Sequence, residues 1–414
     1  MTRGDFEHAI DTHGLRFGAL LFVLLFGVGV GGYWGLTMVG HGFAASLATM
    51  VYEAPTPVTL GAGVAYSSTT PERIIEVLTI PQAVPENGRF IVADLTSMAV
   101  SLYQDGHMVA SYPILTKGRP GSPYETPSGF YSILSKEIDH FNRGAQVHLP
   151  YAMQFYGNYF IHGWPYYVDG TPVALDYSGG CIRLATADAR QVLDFAERGT
   201  GMFVYDAKQA TSTPTIALGP LAVPTVSALS YLVADLDSRD VYAEQRALEV
   251  VPIASVTKLM TALVASETIM FDKEIPVPEG ILEHPENPGN TQARRFPVGK
   301  LLYPLLMESN NAIAGELASY YGENGFIGWM NSTADSLGMS STHFADPSGI
   351  SVGNVSTPED LYRLAAYLTN KKSFIWKISR TPATTLQAEG GASYTFANFN
   401  VFSGLDTFIG GEVG

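Results

Sequence analysis

Hydrophobic spacing changes character three times along the chain, and each change marks a different kind of element. Residues 17–40 contain no charge and are mostly apolar, a run long enough to cross a hydrocarbon core of roughly 30 Å as a helix. Residues 41–87 are rich in Pro, Thr, Ser and Gly around one short apolar stretch, 74–80, and are expected to form a stalk. A period of two takes over from residue 88. Residues 90–94, 99–103 and 108–115 are short alternating runs, the last two joined by Gln104-Asp105-Gly106, as in a β-meander. Helical spacing in this region is confined to 186–198. Residues 207–227, with Pro214, Pro220 and Pro224, read as a linker. Beyond them a hairpin over 231–236 and 241–244 gives way to the longer period of helices at 258–268, 301–321, 326–337 and 358–368. The order predicts a multidomain chain: a mainly-β domain over 88–206 and an α+β domain over 228–414.

Charge and composition narrow the classes. With 414 residues, 46% hydrophobic and 15% charged, the chain has material for two packed cores. A net charge of -15 excludes a nucleic-acid binder, which needs a basic face. Arg16 sets the cytoplasmic edge of the apolar run, making residues 1–16 a cytoplasmic tail, although Asp5, Glu7 and Asp11 dilute the charge asymmetry. A cleaved leader ending near Ser46-Leu47-Ala48 is the alternative to an uncleaved transmembrane anchor. Either way the later domains are expected outside the cytoplasm, at the cell membrane.

Cys181 is the only cysteine, so no internal disulfide accounts for it. It lies in Ser178-Gly179-Gly180-Cys181-Ile182-Arg183-Leu184, where small residues leave room for a substrate to reach the sulfur. His162 is the candidate base, brought back to the thiol by the intervening loop. Gly179 and Gly180 leave the backbone open, so the amides before and at Cys181 are candidate oxyanion donors. These parts describe acyl transfer through a thioester. Arg183 is expected either to orient the loop or to bind a substrate carboxylate, and Ser178 to fix the loop. His140 and His148 have no carboxylate spacing around them that suggests a metal, and no cofactor is expected.

Three ordered motifs carry a family resemblance: Thr126-Pro127-Ser128-Gly129-Phe130, the stretch from Met153 to His162-Gly163, and Ser178-x-Gly-Cys181-Ile-Arg183-Leu184 followed by Asp188-Ala189. Together they resemble the L,D-transpeptidase catalytic domain. The resemblance implies a β-sandwich-like fold and attack by Cys181 on the third residue of a peptidoglycan tetrapeptide stem. D-Ala leaves, and an amine from a second stem resolves the thioester into a 3→3 cross-link. Many members have histidine where this chain has Gly179; the family's base corresponds to His162, which is present.

In the second half, Ser255-Val256-Thr257-Lys258 puts a hydroxyl and an amine three residues apart at the start of a helical run. With Ser309-Asn310-Asn311 and His343-Phe-x-Asp346-Pro-x-Gly349 it resembles the penicillin-binding, serine-type D-alanyl-D-alanine carboxypeptidases. The resemblance implies a β-lactamase-like α+β fold, with Ser255 as acylated nucleophile, Lys258 as its base, and Ser309 and Asn311 positioning proton transfer and substrate. Where that family has Lys-Thr-Gly, this chain has Glu412-Val413-Gly414. The glutamate repels a substrate carboxylate, and the family's further strands would follow, so the domain is expected to be C-terminally incomplete and poor in turnover.

The combined expectation is a membrane-anchored enzyme acting on peptidoglycan stem peptides, with β-lactams as inhibitors. Three alternatives stand beside it: hydrolysis by the cysteine domain, an inactive stem-binding second domain, and a purely structural wall-binding protein.

Overall fold

The computed structural model describes residues 21–23, 73–76, 79–207, 227–283, 292–388 and 391–412. The expected tail, most of the 17–40 run and nearly all of the 207–227 linker lie outside the described residues. Of the apolar run only Leu21–Val23 is described, as a short strand and not as part of a helix. Among the described residues no helix is long and apolar enough to cross a membrane.

The first domain is two five-stranded sheets closed over one core. In the first sheet β1 (Arg89–Asp94), β2 (Ala99–Gln104) and β3 (His107–Pro113) form the expected meander, with β4 (Gly129–Ser132) further along the chain. The second holds β5 (Ser135–Asn142), β6 (Val147–Tyr156), β7 (Tyr159–His162), β8 (Tyr166–Tyr167) and β9 (Ile182–Arg183). After helix α1 (Thr186–Phe195) the chain returns as β10 (Gly201–Tyr205), parallel to β1 and antiparallel to β4. The order is therefore β3-β2-β1-β10-β4 in one sheet and β8-β6-β7-β9 in the other, with β5 also on β6. Strand β1 is a run of buried residues, as a central strand covered on both faces must be. Ile91 and Ala93 face the inter-sheet core with Met153, Ile161, Ile182, Val192 and Met202. Phe90 and Val92 face the other way, beside a stacked Phe130–Phe203 pair at 4.4 Å.

The second domain opens with the expected hairpin, β11 (Tyr231–Asp235) and β12 (Asp240–Gln245). Its centre is α2 (Thr257–Thr268), in which every residue is buried. A helix apolar on most sides belongs inside a core, and α3 (Val298–Met307), α4 (Asn311–Ser319), α5 (Glu323–Ser336), α6 (Pro358–Lys371) and α7 (Ser373–Ser379) supply the cover. The helix expected over 301–321 is two helices. Ser309 adopts φ 52°, which breaks the first, and the Asn310 side chain caps the second by accepting from the Ile313 amide at 3.0 Å. The helix expected over 186–198 stops at Phe195.

Part of the expected stalk is not a stalk. Arg73–Ile74 pairs with β12, and Ile75 is 1% exposed in the core of the second domain. Arg73 reaches Glu244 at 2.6 Å and Glu359 at 2.8 Å. The two domains also meet directly. Trp329 of α5 stands edge-on to Tyr156 of β6, whose hydroxyl lies 2.9 Å from the Thr333 hydroxyl.

Candidate active site

The cysteine centre is built where β9 joins β7 in parallel, with Ile182 opposite Ile161 and Arg183 opposite His162. Side chains alternate across a sheet, so Cys181, one residue ahead of β9, falls on the face shared by His162 and Arg183. The thiol and the imidazole do not hydrogen-bond to each other. Cys181 Sγ lies 3.8 Å from the Asn158 carbonyl oxygen and packs beside Val147, Leu149, Ala152 and Phe160. His162, 1% exposed, donates from Nδ1 to the Gly163 carbonyl at 2.6 Å. That bond leaves the lone pair on Nε2, the form a general base requires.

Burial sets the protonation of both groups. It drives the His162 imidazole from its ordinary 6.5 down to about 3, against the Gly163 hydrogen bond and with help from the Arg183 charge. Burial also raises the Cys181 thiol above its ordinary 9.0, although the Phe160 amide and Arg183 pull the other way. The resting pair is a neutral thiol beside a neutral imidazole.

The loop before the thiol is held closely. Ser178 Oγ donates to the Cys181 carbonyl at 2.5 Å and accepts from the Gly180 amide at 3.1 Å. This corrects one expectation: the Gly180 amide is engaged within the loop, leaving the Cys181 amide as the candidate oxyanion donor. Gly180 adopts φ 106°, and a Cβ there would fall 2.1 Å from the Tyr159 ring, so only glycine fits. Gly179, by contrast, faces open space. Thr126 Oγ1 donates to the Gly180 carbonyl at 2.9 Å and accepts from the Gly118 amide at 2.8 Å. Arg183 donates to the Asp176 carbonyl at 3.3 Å and lies 5.8 Å from the Trp164 ring centroid, while its Nε is buried without a partner. His140 pairs with Glu137 at 3.0 Å and His148 with Asp139 at 2.7 Å. Among the described residues no cluster of metal-ligating side chains forms.

In the second domain Ser255 sits in a 3₁₀ turn, Ala254–Val256, that runs into α2. Lys258, 0% exposed, donates to Ser255 Oγ at 2.9 Å and to the Ser348 carbonyl at 2.7 Å. Burial lowers its amine from 10.5 to about 8, while the Glu412 and Asp346 carboxylates oppose the shift. Gly349, at φ 91°, lets the loop pass the Ala254 carbonyl, where a Cβ would come within 2.0 Å. Burial also disfavours charge on Asp346, but hydrogen bonds from the Ser348 hydroxyl and the Ser351, Ser348 and Gly349 amides outweigh it and hold the carboxyl at about 2. Ser309 Oγ is buried without a partner, and Asn311 is exposed at the first position of α4. Both Glu412 oxygens are buried without hydrogen-bond partners of ordinary geometry. Burial pushes that carboxyl well above 4.5, with nearby Lys258 and Ser309 working in the opposite direction.

Residues 88–205 match the family described as the L,D-transpeptidase catalytic domain, and residues 218–408 match the D-alanyl-D-alanine carboxypeptidase family. The chain carries both domains in tandem. It is 36% identical over 160 residues to a D-alanyl-D-alanine endopeptidase of Escherichia coli, covering 36% of this chain and 50% of that protein. A namesake from Pseudomonas aeruginosa is 37% identical over 166 residues, covering 38% and 52%. A solved D-alanyl-D-alanine carboxypeptidase from Mycobacterium tuberculosis aligns over 44% of this chain and 69% of its own, at 27% identity and TM-score 0.39. The chain thus spans about half the length of the curated relatives it matches.

In the L,D-transpeptidase domain, the sequence drew attention to Cys181, His162, Ser178, Gly180 and Arg183, and the fold gathers these on one loop and two adjacent strands. It did not reveal Asn158, Trp164 or Asp176. Two of these act through main-chain carbonyls, which no side-chain pattern reports; the aromatic Tyr159-Phe160 beside His162 was the available hint of a packed wall. In the carboxypeptidase domain Ser255 and Lys258 meet directly.

With both partners neutral at rest, alkylation of Cys181 by iodoacetamide should rise with pH through a midpoint above 9.0. A reactive plateau below neutrality would reveal a thiolate–imidazolium pair and contradict this arrangement.

Proposed function

We propose that the protein is a membrane-anchored peptidoglycan-modifying enzyme whose first domain forms 3→3 cross-links through a Cys181 thioester. The observation that carries this reading is His162, fixed through Nδ1 with Nε2 free, on the strand beside the one that follows Cys181. In this mechanism the thiol sulfur attacks the carbonyl carbon of the third stem residue while its proton passes to His162 Nε2. The Cys181 amide receives the developing oxyanion. The bond to D-Ala breaks, and its amine departs with the proton from His162. An amine of a second stem then attacks the thioester and restores the thiol. The unpartnered Arg183 Nε is suited to a stem carboxylate. Water in place of the second amine would give a tripeptide instead of a dimer.

The serine domain is proposed to bind the same stems, with Ser255 as nucleophile and Lys258 as base, and to be a target of β-lactams. Glu412 favours a second reading in which it binds but turns over poorly, because a carboxyl occupies the place where the family has a cation for the substrate carboxylate. Burial favours the neutral form of that carboxyl, so the substrate carboxylate loses the cation's attraction, about 4 kcal/mol at 4 Å and an effective dielectric near 20.

Three measurements test these proposals. Muropeptide mass spectrometry should show a 3→3 dimer with the wild type and none with Cys181→Ser; a dimer persisting in the variant sinks the cysteine mechanism. Fluorescent penicillin should label Ser255 weakly, and Glu412→Lys should raise labelling by about tenfold or more; equal labelling removes the role given to Glu412. The mature protein should keep residues 1–16 and remain with membranes after a salt wash, whereas an N-terminus near Ala48 would mean a cleaved leader.

A further inference from the structure

The cysteine loop is braced by the other domain. Lys371 ends α6 and Lys372 follows it, both buried, at the boundary between the domains. An ammonium has three donors, and Lys372 finds three acceptors: Glu267 of α2 at 3.4 Å, and the carbonyls of Pro123 and Glu125 in the first domain at 3.1 Å each. Lys371 adds the Glu125 carboxylate at 3.2 Å and Asp206. Tyr367 completes the shell of Glu267 at 2.8 Å. The charged groups facing Lys372 are thus Glu267, Glu125 and Lys371. Burial lowers the amine, and the two carboxylates oppose that shift.

The segment held by Lys372 leads straight to the thiol. Residue 126 follows the clamped Glu125 carbonyl, and its hydroxyl holds the carbonyl of Gly180, the neighbour of Cys181. A second strut runs independently. Asn158, whose carbonyl accepts from Cys181 Sγ, donates its side-chain amide to the Thr268 carbonyl at 2.7 Å. Glu267 and Thr268 are adjacent residues at the end of α2 opposite Lys258.

We propose that Lys372 is a positioning residue of the cysteine centre, so that the carboxypeptidase-like domain forms part of the working L,D-transpeptidase-like site whether or not its own serine turns over. The proposal rests on Cys181 being the nucleophile. It assigns the second domain a role that survives the presence of Glu412: the cluster holds the 123–126 segment and, through Thr126, the backbone that aims the sulfur. Misplacing a reacting atom by about 1 Å lowers turnover by about a hundredfold.

The test uses the full chain, and the single cysteine makes alkylation a readout of Cys181 alone. Lys372→Met should lower kcat for stem-peptide conversion by about tenfold to a hundredfold with little change in KM. It should raise iodoacetamide reactivity by about threefold or more, because a loosened loop admits water to the sulfur. Lys372→Arg, which keeps donors for both carbonyls, should recover part of kcat. If thermal melting shows Lys372→Met unfolded, Thr126→Val, which keeps the lysine cluster but cuts its link to the Gly180 carbonyl, should shift both readouts in the same directions. Wild-type alkylation and kcat in either folded variant overturn the proposal. If alkylation responds while the wild type converts no stem peptide, the substrate reading fails and the positioning role stands.

Discussion

A helix buried on every side must find partners for the charges it carries, and α2 does so for Lys258 and Glu267, while the Thr257 hydroxyl is left without one. An unpaired polar group in that setting costs several kcal/mol on apolar-transfer scales, and an unpaired charge far more. At one end Lys258 is answered by Ser255 and the Ser348 carbonyl, with Thr261 donating to the Pro347 carbonyl at 2.5 Å. At the other, Glu267 is answered by Tyr367 and Lys372, and the Thr268 carbonyl accepts from Asn158 and Tyr321. Satisfying the first end assembles the serine–lysine pair. Satisfying the second brings the first domain into register with the second.

The cysteine centre follows a different electrostatic logic. Its thiol and imidazole are both neutral, so the site stores no charge pair that water would stabilise in the absence of substrate. In the proposed mechanism charge appears only as the sulfur attacks, when the imidazolium and oxyanion develop together. Interactions formed at that stage accelerate the chemical step, whereas those already present in the resting enzyme do not. Ser178 and Thr126 hold the backbone of that loop by hydrogen bonds, and the Tyr159 ring leaves room only for glycine at position 180.

What the sequence reveals and what it hides divide along physical lines. The runs at 90–94 and 99–103 became β1 and β2 because a short apolar or alternating run bounded by turn residues is a local property. The loop around Cys181 was legible because its glycines and hydroxyl act within a few residues of one another. Lys371 and Lys372 were invisible as site residues: their partners in the first domain lie 246–249 positions away for the Glu125 and Pro123 contacts. The break at Ser309 was hidden for another reason. Apolar spacing continues through it, and only the left-handed φ reveals where one helix becomes two. Ile75 likewise read as part of one short apolar stretch within a stalk, because the core that receives it is assembled mostly from residues after 228.

That last contact bears on how the chain reaches its final form. Arg73 and Glu244 are 171 residues apart, with the whole first domain between them. At ribosomal rates of about 5–20 residues per second, residues 73–76 emerge on the order of ten seconds before β12 exists to receive them. The first domain can collapse around its own meander in that interval, but the edge of the hairpin sheet cannot close. The first domain is therefore a topological insertion, its leading end fastened to a neighbour synthesised after it. Closure of that long loop waits for β12.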